Sequence, residues 1–434
     1  MILQQEMRSP KRSKDKRSSI LYNYYAGFSP EFVEDVVKRL EMNSDAVIMD
    51  PWNGSGTTTQ VAMRMGYSAI GFDINPVMVI VAKARLLNCT SVVRKRVLDN
   101  LESLMKMGLD LQTNRLLDDP LESWLEPESA ECFRNIERSI QLLLIGTKYD
   151  VIYNTKSLSH ISHMASFFYL ALFRTLRKFL TTYVSSNPTW IKIPSSKRAR
   201  IHPSSNEVYE ELQNQVYEMI DIVNFMGMDA NRDNSQIIQI ERASSESIPL
   251  PNSSIDLVVS SPPYCTRIDY AIATSPELAL LGCSMEGEIK NLRDHMIGTP
   301  TIINERSEIR SEWGQTCKSF LRAVEMHSSK ASKSYYYKYL IQYFDAIYRS
   351  LQEINRTLVE SGYCVIVVQD SYYKDIHNDL PKIFCNMADS FGWTVLDRFD
   401  FHINRTMAGR NNRIRKYRSS SMATESVLLF KKEK

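Results

Sequence analysis

Two stretches of this 434-residue chain combine residue types that can hold a ligand and act on it. The first, DPWNGSGTT, runs from Asp50 to Thr58. Its glycines let the backbone approach a ligand closely, and a helix starting just after them offers unpaired N–H groups. Asp73 follows Asp50 by 23 residues, at the end of the next apolar run. An acidic side chain there can accept both hydroxyls of a ribose. No lysine follows the glycines, so the pattern is not the GxxxxGK[ST] of nucleoside triphosphate sites. The second stretch, SSPPYCTRIDY, runs from Ser260 to Tyr270. Two prolines stop an apolar run and an aromatic ring follows at once. Proline has no N–H, so such a turn offers carbonyl acceptors without competing donors.

The elements around these stretches follow from pattern. SPEFVEDVVKRL predicts a helix with Ser29 as its cap and Pro30 in its first turn. DAVIMD reads as a short buried strand, followed by the glycine turn, a helix around QVAMRM and a second strand, YSAIGFD. This β-turn-α-β order opens a doubly wound sheet. From about residue 90 to 235 the patterns are mostly helical, interrupted by the Pro- and Ser-rich loop SSNPTWIKIPSSKRARIHPSS. Strand patterns resume in QIIQIER and IDLVVSSPPY, and again, after a long helix, in GYCVIVVQD, GWTVLDRFDF and ESVLLFKK. The expected fold is α/β, a doubly wound, mostly parallel sheet with a helical insert. Residues 1–20 form a basic arm, 21–90 and 236–434 one domain, and 91–235 the insert.

Taken together, these stretches resemble the motifs of the S-adenosylmethionine-dependent amino-methyltransferases that act on DNA. DPWNGSGTT looks like their DPFxGSGTT motif, YYAGFSP (Tyr24 to Pro30) is similar to the aromatic motif preceding it, and SSPPY is similar to their catalytic [DNS]PP[YFW]. The resemblance covers the chain apart from the arm and the insert. It implies a Rossmann-like methyltransferase fold. It also implies S-adenosylmethionine as cofactor, held by Tyr25, Asp50, Pro51, Asn53, Gly54, Ser55, Gly56, Thr57, Thr58 and Asp73. The acidic contact to the adenine falls at Glu246, with Ser245 as the alternative. Ser261, Pro262, Pro263 and Tyr264 become the catalytic loop. The Ser261 hydroxyl and the Pro262 carbonyl then accept the two N–H bonds of an exocyclic amine, and Tyr264 stacks on a base flipped out of the duplex. Either amino base fits this loop. Cytosine N4 is the expected acceptor, because serine in first place is more frequent in that branch of the family, and adenine N6 is the alternative. Cys265 follows tyrosine instead of proline and reads as a passive small residue. Two competing readings are an RNA enzyme of the tRNA guanosine N2 type and a non-catalytic DNA-binding subunit with the same fold.

Double-stranded DNA is the expected partner, with a cognate restriction endonuclease as the second. Arg267 lies in the catalytic loop, where Asp269 offers it a local ion pair instead. Arg405, Arg410, Arg413 and Arg415 belong to NRTMAGRNNRIRKYR, a run without acidic residues that can neutralise phosphates. Lys192, Lys197, Arg198 and Arg200 form a second basic group in the insert, the candidate target-recognition domain. The net charge of +3 does not by itself announce a nucleic-acid binder. Seven scattered cysteines without a CxxC pair suggest neither a disulfide framework nor a zinc ribbon, and no metal is expected. No apolar run approaches the roughly 18 residues that cross a bilayer. The charged N-terminus has no signal-peptide core, so a cytoplasmic location is expected.

Overall fold

Short apolar runs become strands here because they can be buried on both faces at once. A computed structural model describes residues 7–11, 21–22, 27–111, 118–146, 155–185, 190–225, 236–266, 268–303, 308–403 and 423–433. Tyr25, Arg267, Arg405, Arg410, Arg413 and Arg415 lie outside the described residues. Helix α1 (Pro30–Leu40) begins as expected, with the Phe32 N–H donating to the Ser29 Oγ at 3.1 Å. Strand β1 (Val47–Asp50), α2 (Thr57–Arg64), β2 (Ser68–Asp73) and α3 (Pro76–Arg85) follow. The helices α4 (Ser91–Asp110), α5 (Pro127–Ile140), α6 (Thr155–His160), α7 (His163–Phe179) and α8 (Ser205–Phe225) come next, before β3 (Ile238–Arg242) and β4 (Ile255–Ser260). The remaining strands are β5 (Leu358–Gln369), the hairpin β6 (Ser371–Tyr373) and β7 (Ile376–Asn378), β8 (Trp393–Ile403) and β9 (Ala423–Lys432).

Among the described residues, seven strands form one sheet in the order β3-β2-β1-β4-β5-β9-β8. The first five are parallel, and β9 runs antiparallel to both β5 and β8. Period-two alternation sorts side chains between two layers. Ile48, Leu257, Val259, Val365 and Val427 face α1 and α2. Met49, Val258, Ile366, Val368 and Leu428 face the helices Gly314–Met326, Tyr337–Thr357 and Leu380–Asp389. Both faces are covered, which is the doubly wound arrangement. Asp256 closes the start of β1 by accepting the Val47 N–H at 2.8 Å.

The helices expected between 91 and 235 leave the sheet after α3 and return at β3. Their apolar faces pack on α3 through Val77, Met78, Ile80, Val81 and Ala84. The same core takes in Ala271 and Leu278 to Leu281, downstream of SPPY. An ion pair and a hydrogen bond tie that downstream segment to the helices. Arg177 on α7 binds Glu277 at 2.5 Å, and Arg134 on α5 donates to the Ala279 carbonyl at 2.8 Å.

Candidate active site

The parallel strands β1, β2 and β4 all end on one edge of the sheet, so their following turns converge. DPWNGSGTT leaves β1, Asp73 ends β2 and Ser261 follows β4. Between them opens a cleft of about 760 Å3, lined by Pro51, Trp52, Asp73, Ile74, Asn75, Ser244, Ser245 and all four residues from Ser261 to Tyr264. A smaller opening of about 260 Å3 adjoins it at Trp52 and Ser261, and is lined by Gly27, Phe28, Asp50, Asn53, Gly54, Ser55 and Thr57.

The two carboxylates are held by backbone donors. Asp73 accepts the Gly54 N–H at 3.0 Å and the Asn75 N–H at 2.8 Å. Burial nonetheless pushes its carboxyl up to about 7. Asp50 accepts the Ser260 hydroxyl and the Trp52 N–H, the latter at 3.1 Å, and burial pushes it up to about 6.

Among the described residues, three expected cofactor positions line neither opening. Thr58 is fully buried and donates its hydroxyl to the Val259 carbonyl at 3.1 Å, tying α2 to β4. Gly56 caps α2 with φ 79° and packs against Ala82 of α3. Glu246 faces the neighbouring cavity and binds Arg349 at 2.8 Å, while Ser244 and Ser245 face the cleft.

The SPPY turn is braced from behind. The Ser261 hydroxyl donates to the Val367 carbonyl of β5 at 3.0 Å. The Pro263 carbonyl accepts the Tyr343 hydroxyl at 2.9 Å. The Tyr264 hydroxyl donates to the Glu425 Oε1 of β9 at 2.8 Å, and no described residue bonds the buried Glu425 Oε2. Neither Tyr343 nor Glu425 was visible in the sequence as a site residue. Burial pushes the Cys265 thiol up to about 12, so it stays protonated and is no nucleophile. Asp269 pairs with Arg293 at 2.5 Å and caps the Ile272 N–H. Asp370 accepts the Thr424 N–H at 2.7 Å and binds His377 at 2.9 Å, a structural use. Among the described residues no cluster of His, Cys, Asp and Glu could hold a metal ion, and no helix is long and apolar enough to cross a membrane.

A family model for N6/N4 methyltransferases, described as DNA methylase, matches residues 3–84. The Type II methyltransferase M.BsoBI of Geobacillus stearothermophilus is 24% identical over 287 residues, 62% of this chain and 53% of that protein. M.AvaI of Nostoc sp. is 22% identical over 408 residues, 88% of this chain and 80% of that protein. The N-terminal part of the chain thus matches the DNA amino-methyltransferase family, and its similarity to Type II methyltransferases extends over most of its length. Its alignment spans about half the length of M.BsoBI. M.MjaII of Methanocaldococcus jannaschii is 36% identical over 75 residues, 17% of this chain and 14% of that protein. Among solved structures, the YcgJ protein of Bacillus subtilis superposes with a TM-score of 0.33 at 8% identity, over 93% of this chain and 98% of that one.

The amino-methyltransferase cofactor is S-adenosylmethionine. The residues present fit it. Trp52, which lines both openings, and Asn53, which lines the smaller one, each carry a buried side-chain N–H without a partner among the described residues. Asp73 presents the acceptor that ribose hydroxyls require.

Removing that acceptor in Asp73→Ala is expected to weaken S-adenosylmethionine binding by about 1–3 kcal/mol, the scale of charge-assisted hydrogen bonds. The pH dependence follows from the raised carboxyl. Ribose hydroxyls donate to the charged form, so wild-type affinity rises as pH climbs through about 7 and binding releases protons. In the ligand-free protein both carboxyls titrate above the ordinary Asp value. Their stabilising protonation is complete below that value and is lost as pH rises through about 6 for Asp50 and about 7 for Asp73. Calorimetry from pH 6 to 8 checks this. An Asp73→Asn protein should show no such pH trend, and an identical trend in both proteins would remove Asp73 as its source.

Proposed function

We propose that this amino-methyltransferase moves a methyl group from S-adenosylmethionine to the exocyclic amine of a base flipped out of duplex DNA, with cytosine N4 as the acceptor. The observation that carries the reading is one cleft shared by Asp73 and the whole of Ser261 to Tyr264. When bound, S-adenosylmethionine supplies an electrophilic methyl on sulfur. The exocyclic nitrogen of a base is a weak nucleophile because its lone pair is delocalised into the ring. The Ser261 hydroxyl spends its proton on Val367, which leaves its lone pairs to accept from the amine. The Pro262 carbonyl accepts the other N–H, and Tyr264 stacks on the ring. Holding the amine this way localises the lone pair toward the methyl. No strong base is required, since the methylated amine is acidic and gives its proton to water.

The phosphates of the duplex are assigned to Arg267, Arg405, Arg410, Arg413 and Arg415, and target recognition to residues 91–235. Lys192, Lys197 and Arg198 stand exposed on one loop of that insert, which supports the assignment. The Type II names of the relatives support a cognate restriction endonuclease as partner and a cytoplasmic setting.

Nucleoside mass spectrometry of duplex DNA and of tRNA, each incubated with the protein and labelled cofactor, tests the reading. N4-methylcytosine in DNA, absent with Ser261→Ala, is the expected product. N6-methyladenine alone would replace cytosine by adenine and keep the reaction class. Label in tRNA alone, or none at all, would overturn the DNA enzyme.

A further inference from the structure

Beneath the glycine turn lies a side chain that no motif marks. Arg85, the last residue of α3, is buried at 8% exposure. Its Nη1 donates to the Ser55 carbonyl at 2.7 Å, to the Ser55 Oγ at 3.1 Å and, at 3.5 Å, to the Thr57 Oγ1. Its Nη2 donates to the Gln60 Oε1 at 2.6 Å, and the Gln60 Nε2 returns a bond to the Arg85 carbonyl at 3.3 Å. A buried guanidinium is costly unless its donors are matched, and its rigid fork fixes the positions of the groups that match it. Here those groups are the turn between β1 and α2 and the first turns of α2 itself. Ser55 and Thr57 also line the smaller opening, together with Trp52, Asn53 and Gly54.

A ligand whose ribose sits on Asp73, whose adenine lies toward Ser244 and Ser245 and whose sulfur faces SPPY leaves the smaller opening for its amino acid. Ser55 and Thr57 bring hydroxyl donors to its lining, and the carboxylate of an amino acid is an acceptor for such donors. We propose that Arg85 is a positioning residue which holds Ser55 and Thr57 in place for the amino-acid end of the cofactor. It acts through the turn and touches no ligand itself. Since each hydroxyl oxygen accepts from Arg85, each hydroxyl is biased toward donating on its other side. The inference rests on the cofactor reading given above.

Calorimetry with two ligands separates this role from general stability. S-adenosylhomocysteine carries the amino acid, whereas 5′-methylthioadenosine keeps the adenosine and lacks it. Arg85→Lys retains charge but loses the fork, and Arg85→Met loses both. In each variant S-adenosylhomocysteine is expected to bind about tenfold more weakly or worse, with methylthioadenosine affinity kept within about threefold, as loss of aligned polar contacts at one end predicts. Methylthioadenosine binding doubles as the control for folding, and if the methionine variant does not fold, the lysine variant decides. Equal loss for both ligands, or loss for neither, overturns the role of Arg85. Failure of the wild-type protein to bind either ligand would instead remove the cofactor reading and this inference with it.

Discussion

Tyr264→Ala is expected to lower the single-turnover rate of methyl transfer by about 10²-fold, the scale of lost orientation at a reacting centre. S-adenosylmethionine affinity should change little, because Asp73 and the glycine turn remain. In the proposed reaction Tyr264 is the flat surface on which the flipped base stacks, a contact worth about 1–3 kcal/mol. The rest of the effect comes from freedom. In the wild type the ring is anchored at its far end by Glu425, and the turn is anchored by Tyr343 and Val367. Glu425 therefore gives a graded version of the same experiment. Glu425→Gln keeps an acceptor for the phenol and should retain most activity. Glu425→Ala leaves a buried hydroxyl without one, at a cost of about 1–3 kcal/mol, and should fall toward the Tyr264→Ala rate. Rapid-quench measurement with labelled cofactor, alongside calorimetric affinities, separates rate from binding. Full activity in Tyr264→Ala would sink the stacking role, whatever base the enzyme modifies.

Gly56→Ala should cost roughly 2–5 kcal/mol of stability, combining about 1–2 for a left-handed residue with about 1–3 for overpacking. Gly56 has φ 79°, and a Cβ built on it would stand 2.8 Å from the Ala82 Cβ and 3.1 Å from the Ala82 Cα. One of those atoms belongs to backbone, so the helices α2 and α3 must separate. The cofactor turn and the Arg85 fork lie between these helices, so affinity for S-adenosylmethionine should fall along with the unfolding midpoint. A double change tests the two causes separately. Gly56→Ala with Ala82→Gly relieves the side-chain contact and leaves the backbone strain, so urea unfolding should recover part of the loss and never all of it. Complete recovery would show that φ costs nothing here. No loss in the single variant would mean that the two helices are not in contact as described.

Much of this was written locally. Ser29 and Pro30 announce α1 because a cap and a proline need only their own next turn. Each strand of the sheet except its order was readable, since burial on two faces demands an unbroken apolar run such as VIVV in β5. The glycine turn, Asp73 and SPPY were likewise legible, because each carries its chemistry within a few residues and a doubly wound sheet always gathers such turns at one edge. What lies behind those turns was not. Glu425 is 161 residues from Tyr264 and reads locally as an ordinary polar residue opening a strand. Arg85 reads as the basic end of a helix, and only the packing of α3 on α2 aims it at Ser55. Glu246 was the expected acceptor and Ser245 the alternative, and only the turn after β3 sends Glu246 to Arg349 and Ser245 to the cleft. The helices between α3 and β3 were legible as helices by their periodicity. Their common core with α3 and with the segment after SPPY was decided by which apolar faces meet in space, and a sequence pattern fixes the face of a helix without naming its partner.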